Sequence, residues 1–150
     1  MSDEAKVIDR TESRKGMDVV GFTVDVTPKI VVGNEVFCEI DPGPGTPHKY
    51  VKGGVIKFPV AGQPYTATFQ IMPGDVPNLQ FDTNDPFWSS ANGCPAASGN
   101  DAQLQPQMPC APTSLDVDGT PSPPKNVVYY RQNLLLGGNP LYSDPIIINN

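Results

Sequence analysis

Oxygen-bearing side chains are concentrated around the stretch FDTNDPFW, residues 81–88, and these side chains could coordinate a metal ion. Ca²⁺ takes about six to eight oxygen ligands, which closely spaced loop carboxylates and amides can supply. The candidate ligands are Asp82, Asn84, Asp85 and, further along, Asp101. The stretch does not match the full calcium-binding loop, which needs more acidic positions and a distal bidentate glutamate. The alternative is turn chemistry, because Asp and Asn side chains bond to nearby backbone groups in loops.

The same carboxylates are the only candidates for hydrolysis, and no motif accompanies them. His48 is the single histidine, and it lies in the Pro- and Gly-rich stretch PGPGTPHKY. A nucleophilic enzyme needs a base within reach of its nucleophile, and the GxSxG turn that would present a serine is absent. The sequence therefore favours a non-enzymatic protein without a cofactor, with a hydrolase using loop carboxylates as an alternative.

Two of the three cysteines lie in the second half of the chain. Cys94 and Cys110 are separated by fifteen residues, and a disulfide closing such a loop is worth roughly 3 kcal/mol. The spacing fits a disulfide, but a cytosolic setting argues against one, and both interpretations are open. Cys38 occupies an inward strand position and is predicted to be a buried thiol. No CxxC pair exists, so a zinc site is not predicted.

Aromatic residues near these sites are candidates for binding a partner. Phe87 and Trp88 lie in the same loop as the carboxylates, and Tyr142 lies near the end of the chain. Aromatic side chains dominate the energetics of protein interfaces. Phe87 and Trp88 either fold back as a lid over the core or form an exposed anchor for a partner. A platform for a saccharide is a third use.

The elements that must position these residues have a sequence period of two. About seven or eight segments alternate between apolar and polar residues, among them VGFTVDV, EVFCEI, YTATFQIM, TSLDVD and NVVYYRQNLLL. Such alternation predicts antiparallel sheets with one solvated face. The 18 prolines argue against helices, because proline costs about 3 kcal/mol inside one. We predict an all-β protein, an antiparallel immunoglobulin-like sandwich, with a jelly-roll or a small barrel as the alternative.

Charge divides the chain into two parts. Nine of the residues 1–18 are charged, whereas the remaining 132 residues hold only 17 charges. Residues 1–18 are therefore predicted to form a flexible tail, and residues 19–150 a single domain. Within that domain residues 82–111 show no period. A loop of this length in a compact domain usually has a function, so we expect it to contact a partner.

The net charge of −6 excludes several classes of function. A nucleic-acid-binding protein needs a basic stripe to neutralise phosphates, and anionic membranes require the same. The longest apolar runs are only a few residues, so no transmembrane helix is predicted, and the first residues have no apolar region typical of a secretory signal. The expectation is a cytoplasmic protein that binds neither nucleic acid nor membranes.

The stretches FDTNDPFW, GCP, YYRQNLLL and the terminal DPIIIN resemble a group of small, uncharacterised bacterial proteins that also end on an Asp-Pro-led apolar strand. The resemblance covers about residues 65–150. It implies a bacterial, all-β, non-enzymatic protein, and it supplies no activity or site residue.

Together these observations predict a structural or interaction module that contacts a protein partner, or a second copy of itself, through residues 82–111. A Ca²⁺- or saccharide-binding sandwich is the first alternative. The apolar strand Ile146–Ile148 is a second candidate surface, because an exposed strand edge can pair with another chain.

Overall fold

The computed structural model describes residues 19–57, 63–120 and 127–143, together with the backbone of residues 146–149. The charged segment 1–18, predicted to be a flexible tail, lies outside the described residues. In the described part of the chain, no helix is long and apolar enough to cross a membrane.

Nearly all regular structure in the described residues is β-strand, as the sequence predicts. Among the residues that the structure describes, a single 3₁₀ turn covers His48–Tyr50. The strands are β1 Val20–Val32, β2 Glu35–Pro42, β3 Val51–Lys52, β4 Val55–Lys57, β5 Tyr65–Ile71, β6 Leu79–Phe81, β7 Phe87–Ser90, β8 Leu104–Pro106, β9 Ser114–Gly119, β10 Val127–Leu136, β11 Asn139–Ser143 and β12 Ile146–Asn149. The all-β class is therefore confirmed.

The strands form one curled sheet in the order β3-β4-β12-β10-β11-β2-β1-β5-β9-β8, and β6 and β7 pair with β10 in addition. The sheet is mixed, because β1 with β5, β2 with β11 and β4 with β12 run parallel. The antiparallel immunoglobulin-like sandwich is therefore not confirmed. The reason is physical, since alternation fixes which side chains are buried but not the direction of the neighbouring strand.

Strand β10 lies in the interior of the sheet, because other strands pair with both of its edges. Its first half pairs with β7 on one edge and β12 on the other. Its second half pairs with β6 and β11. β6 and β7 pair with successive parts of the same edge of β10, and residues 82–86 connect them.

The buried face is the face that the alternation predicts. Phe22, Val24 and Val26 of β1 are almost completely buried, and the inward residues of β5 and β9 behave in the same way. The centre of the core is aromatic. Phe87 stacks on Tyr130 at a centroid distance of 5.0 Å, and Phe69 lies 5.3 Å from Tyr130 and 5.9 Å from Phe87.

The structure corrects the prediction that residues 82–111 form one structureless loop. The segment contains β7 and β8, and Phe87 and Leu104 are completely buried within it. Its strands are only four and three residues long, which is too short for alternation to stand out in the sequence.

The structure also corrects the position of the last strand. A turn at residues 137–138 joins β10 to β11, and β12 continues along the same edge of β10. β12 lies between β10 and β4, so its backbone is paired on both sides. The strand Ile146–Ile148 is therefore not a free sheet edge.

Candidate functional site

The candidate site lies on the outer face of β10, the face of the sheet turned away from the core. Alternation along β10 sends Tyr130 and Gln132 into the core and Arg131 to the outer face. Register places Trp88 of β7 opposite Arg131. Tyr142 of β11 is paired with Asn133, the next outward residue of β10. Three short segments that are distant in sequence are thus brought side by side.

Arg131 lies between two aromatic rings. Its guanidinium carbon is 3.8 Å from the ring centroid of Trp88 and 4.6 Å from that of Tyr142. Its Nε donates a hydrogen bond of 2.9 Å to Oδ1 of Asn133. These contacts fix the plane of the guanidinium, because cation–π attraction holds the cation against the ring faces.

The charge of Arg131 is incompletely compensated. Within the described residues, no carboxylate lies within ion-pair distance of its guanidinium. Partial burial lowers the pKa of Arg131 from its usual value, while Tyr142 and Asp85 act in the opposite direction. An arginine remains protonated in proteins, so the site presents a fixed and partly desolvated positive charge.

The connection between β6 and β7 forms one wall of the site, and Asn133 holds it in place. Asn133 Nδ2 donates to the carbonyl of Asp85 at 2.8 Å, and its backbone N–H donates to the carbonyl of Pro86 at 2.8 Å. The backbone N–H of Asp82 donates to the carbonyl of Asn133 at 2.9 Å. Trp88 Nε1 donates to Oδ2 of Asp85 at 2.8 Å, which orients the indole ring over Arg131. We call Asp85, Trp88, Arg131, Asn133 and Tyr142 the Arg131 cluster.

An open cleft with a volume of about 320 Å³ lies over the Arg131 cluster. Asp82 and Asn34, the latter from the turn between β1 and β2, line it together with members of the cluster. The backbone N–H of Tyr142 donates to the carbonyl of Asn34 at 2.9 Å, which closes this side of the cleft. The lining therefore combines one cation, two carboxylates, two amides and two aromatic rings.

A patch of exposed apolar side chains continues the site along the outer face. Ile30, Val32 and Phe37 are 55%, 58% and 39% exposed, and we call them the outer apolar patch. Val32 is paired with Glu35, which is paired with Tyr142, so the patch begins two strands away from the cluster. Two strand spacings correspond to about 10 Å. The cluster and the patch therefore lie on the same face of the sheet, with Glu35 between them.

The predicted Ca²⁺ ligands do not gather. Oδ1 of Asp82 accepts a bond of 3.1 Å from the backbone N–H of Asn84, an Asx turn in which the Asn84 side chain is exposed. Asp85 bonds to Trp88, and Oδ1 of Asp101 accepts from the backbone N–H of Gln103 at 3.0 Å. In the ranges that the structure describes, no group of three His, Cys, Asp or Glu side chains could hold a metal ion. The turn interpretation accounts for these residues.

The two cysteines predicted as a possible disulfide are both free thiols, and Cys94 is exposed. Burial is the main cause that raises the pKa of Cys110, with the charge of Asp82 adding to it and a backbone hydrogen bond opposing it. A raised pKa keeps the thiol protonated and therefore weakly nucleophilic.

The three predicted contact residues have different positions. Phe87 is completely buried, so it is a core residue and not an anchor for a partner. Trp88 and Tyr142 are half-buried on the outer face and flank Arg131. Sequence reasoning missed Arg131, although the period-two pattern of NVVYYRQNLLL places it opposite to the buried residues.

Comparisons with known proteins identify no relative of this chain. No protein-family model matches the chain, and neither a curated protein nor a solved structure matches it.

Proposed function

We propose that this protein is a non-enzymatic interaction module that binds a protein partner through its outer face. The contact surface consists of the Arg131 cluster and the outer apolar patch. One observation carries the proposal, namely that Trp88, Arg131 and Tyr142 lie in contact around an open cleft. Tryptophan, tyrosine and arginine are the residue types that contribute most to binding at protein interfaces.

The side chain of Arg131 is already ordered without a partner, so binding a partner costs little additional conformational entropy. The two rings and Asn133 already restrict its side chain, and freezing a long side chain on binding costs about 0.5–1.5 kcal/mol. The guanidinium has five N–H donors, and only its Nε is bonded to Asn133. The donors that remain can bind a partner carboxylate in the bidentate geometry typical of arginine.

The outer apolar patch supports a protein as the partner. Ile30, Val32 and Phe37 are large apolar residues on one face at the end of the β1–β2 hairpin. Contiguous exposed apolar residues beside polar groups are typical of protein interaction sites. A small anion would need only Arg131, whereas a protein segment can cover both the charge and the patch.

Peptide display on the full chain tests this proposal. The protein is immobilised sparsely, so that copies do not meet, and a library of displayed peptides is selected on it. We expect the recovered peptides to combine acidic and apolar residues and to lose binding to the Arg131→Met and Trp88→Ala variants. Lys52→Met is the control, because Lys52 is an exposed cation on β3 that does not line the cleft.

Peptides that bind all variants equally, or a selection that yields no binder, would contradict the proposal. Two parallel measurements separate the alternatives. Binding on a glycan array that needs Trp88 would favour a saccharide ligand. A melting temperature that rises in calcium and falls with a chelator would favour a calcium-binding protein.

A further inference from the structure

The turn that follows β7 contains the only Asn-Gly pair of the sequence, Asn92-Gly93. The side-chain amide of an asparagine can react with the backbone nitrogen of the next residue, and glycine hinders this attack least because it has no Cβ. We propose that Asn92 is a site of covalent modification, at which the side-chain amide is lost and aspartate and its β-linked isomer, isoaspartate, are formed. This inference goes beyond the proposed function and does not depend on it.

The reaction needs no enzyme and no reactant other than water. The backbone nitrogen of Gly93 loses its proton to hydroxide and attacks Cγ of Asn92, so that an N–Cγ bond forms. The Cγ–Nδ2 bond breaks, Nδ2 takes a proton from water and leaves as ammonia, and a succinimide ring remains. Water then opens the ring, at Cγ to give aspartate or at the backbone carbonyl carbon of Asn92 to give isoaspartate. Because the reacting groups belong to neighbouring residues, the ring closure is intramolecular and needs no encounter.

The side chain of Asn92 is free to reach the reactive geometry. Asn92 is exposed in the turn, and its backbone N–H donates to Oγ of Ser90 at 3.0 Å. Its side-chain amide makes no hydrogen bond within the described residues. Rotation of this side chain towards the backbone of Gly93 therefore breaks no contact.

The attacking nitrogen is also unrestrained. Among the residues that the structure describes, no acceptor receives the backbone N–H of Gly93. Gly93 has a φ of 118°, a conformation that favours glycine. A Cβ built on it would meet nothing within 4 Å, so the space beside the reacting atoms is open to water.

Two other exposed asparagines show what restraint looks like in the same region of the chain. Oδ1 of Asn100 accepts a hydrogen bond of 3.0 Å from Oγ of Ser89, and the N–H of Asp101 donates to the same hydroxyl at 2.9 Å. The side chain and the following nitrogen are therefore both held. After Asn84, the N–H of Asp85 donates to the carbonyl of Asp82 at 3.1 Å.

The only Asp-Gly pair of the sequence, Asp118-Gly119, could form the same ring by losing water, but strand β9 restrains it. Gly119 is buried and is paired with strands on both sides, with Tyr65 opposite it on β5. Oδ1 of Asp118 accepts hydrogen bonds from Oγ1 of Thr66 at 2.7 Å and from Nε2 of Gln107 at 2.9 Å. Reactivity of this kind is therefore expected at Asn92 and not at Asp118.

Modification of Asn92 changes charge and leaves the core in place. Each product carries a carboxylate, so the net charge of −6 becomes more negative by one unit. The new charge lies within residues 75–120, which contain six acidic residues and neither lysine nor arginine. Strand β7 ends at Ser90, before the modified residue, so the burial of Phe87 does not depend on the altered backbone.

Peptide mapping by mass spectrometry tests the inference on the full chain, incubated at neutral pH either folded or unfolded in guanidinium chloride. We expect Asn92 to convert in both samples at rates within about threefold of each other, with one ammonia released for each conversion. Asn100 should convert at least about tenfold more slowly in the folded chain than in the unfolded one, which corresponds to about 1.4 kcal/mol of activation free energy.

Variants locate the reaction at this pair. Asn92→Gln should abolish the ammonia release of the folded chain, because glutamine would have to close a larger ring. Gly93→Ala should slow conversion by about tenfold or more. Asn84→Gln is the matched control and should react like the original protein. Asn92→Asp should retain the circular dichroism spectrum of the original protein.

Three outcomes would overturn the inference. Asn92 could stay intact in the folded chain while it converts in the unfolded chain, which would mean that the turn protects it. It could stay intact in both samples. Another asparagine could convert faster than Asn92 in the folded chain. Mapping of the original protein decides among these outcomes even if a variant does not fold.

Discussion

The inner and outer faces of β10 differ in their surroundings, although both belong to one alternating strand. On the inner face Val128, Tyr130 and Leu134 are buried in the core, and they form part of the packed interior. On the outer face Arg131 is half-buried between Trp88 and Tyr142, and its polar atoms face an open cleft. Adjacent residues of one strand thus belong to a packed face and to the face that we propose binds a partner.

The difference between the faces lies in what fixes each side chain. An inner residue is fixed by burial, which any apolar neighbour of suitable volume supplies. An outer residue such as Arg131 is fixed by particular contacts, with the indole of Trp88 and the amide of Asn133 among them. The inner face should therefore govern stability, and the outer face should govern binding.

The largest expected effect comes from two neighbours on β7 that point to opposite faces. Phe87→Ala should lower the free energy of unfolding by about 3–5 kcal/mol, because it leaves a cavity beside Tyr130. Trp88→Ala should cost only about 1–2 kcal/mol, for the lost contacts with Arg131 and Asp85. Urea unfolding followed by far-ultraviolet circular dichroism measures both.

If Phe87→Ala and Trp88→Ala lowered the free energy of unfolding equally, the inner face would not govern stability more than the outer face. If Phe87→Ala does not fold while Trp88→Ala does, the core substitution costs more than the whole stability of the domain, and the contrast between the faces holds. Binding should show the reverse order, since only the Trp88 variant alters the outer face.

Two strand glycines provide a pair with an intermediate effect. A Cβ at Gly119 would overlap the ring of Tyr65, which is completely buried. Gly119→Ala should therefore cost about 1–3 kcal/mol or more through overpacking. Gly21 is exposed on β1, and a Cβ there meets nothing within 4 Å. Gly21→Ala should change stability by less than about 0.5 kcal/mol, and thermal unfolding of both variants checks the contrast.

Much of the inner face could be predicted from the sequence. The alternation of β1, β5 and β9 identifies Phe22, Phe69 and Leu115 as core residues, because a strand repeats every two residues regardless of its neighbours. The mixed direction of the sheet could not be predicted, since it depends on which distant strands meet. The strands β7 and β8 escaped prediction because three or four residues give no measurable period.

Less of the outer face could be predicted. Aromatic type alone identified Trp88 and Tyr142, but it also selected Phe87, whose neighbour on the chain faces the opposite way. Arg131 acquires its role only from register, which brings β7 and β11 to the two edges of β10. The sequence predicts Asp82 and Asp85 as possible metal ligands, whereas in the fold they shape the connection between β6 and β7 that lines the cleft.

Gln132 is a polar residue on the otherwise apolar inner face. Its substitution should increase stability, by less than the losses expected above. Gln132 is completely buried, and neither its Nε2 nor its Oε1 has a hydrogen-bond partner in the part of the chain that the structure describes. Gln132→Met keeps the shape of the side chain and removes the two unpaired groups, so it should raise the free energy of unfolding by about 1 kcal/mol. Chemical unfolding would contradict this if the variant were less stable, because the amide would then have a partner such as a buried water.

Among the substitutions that remove contacts, those at Arg131 give the smallest expected loss of stability and the sharpest separation of the two faces. Arg131→Met removes the cation–π contacts with Trp88 and Tyr142 and should cost about 0.5–1 kcal/mol, since the site is partly solvated. Arg131→Lys retains the charge but not the planar donors, so it should cost less than Arg131→Met while still weakening the binding of a carboxylate partner. Isothermal titration with the selected peptides, beside urea unfolding of the same variants, compares the two quantities. If Arg131→Lys binds as tightly as the original protein, positive charge alone carries recognition and the ordered geometry of the guanidinium does not contribute.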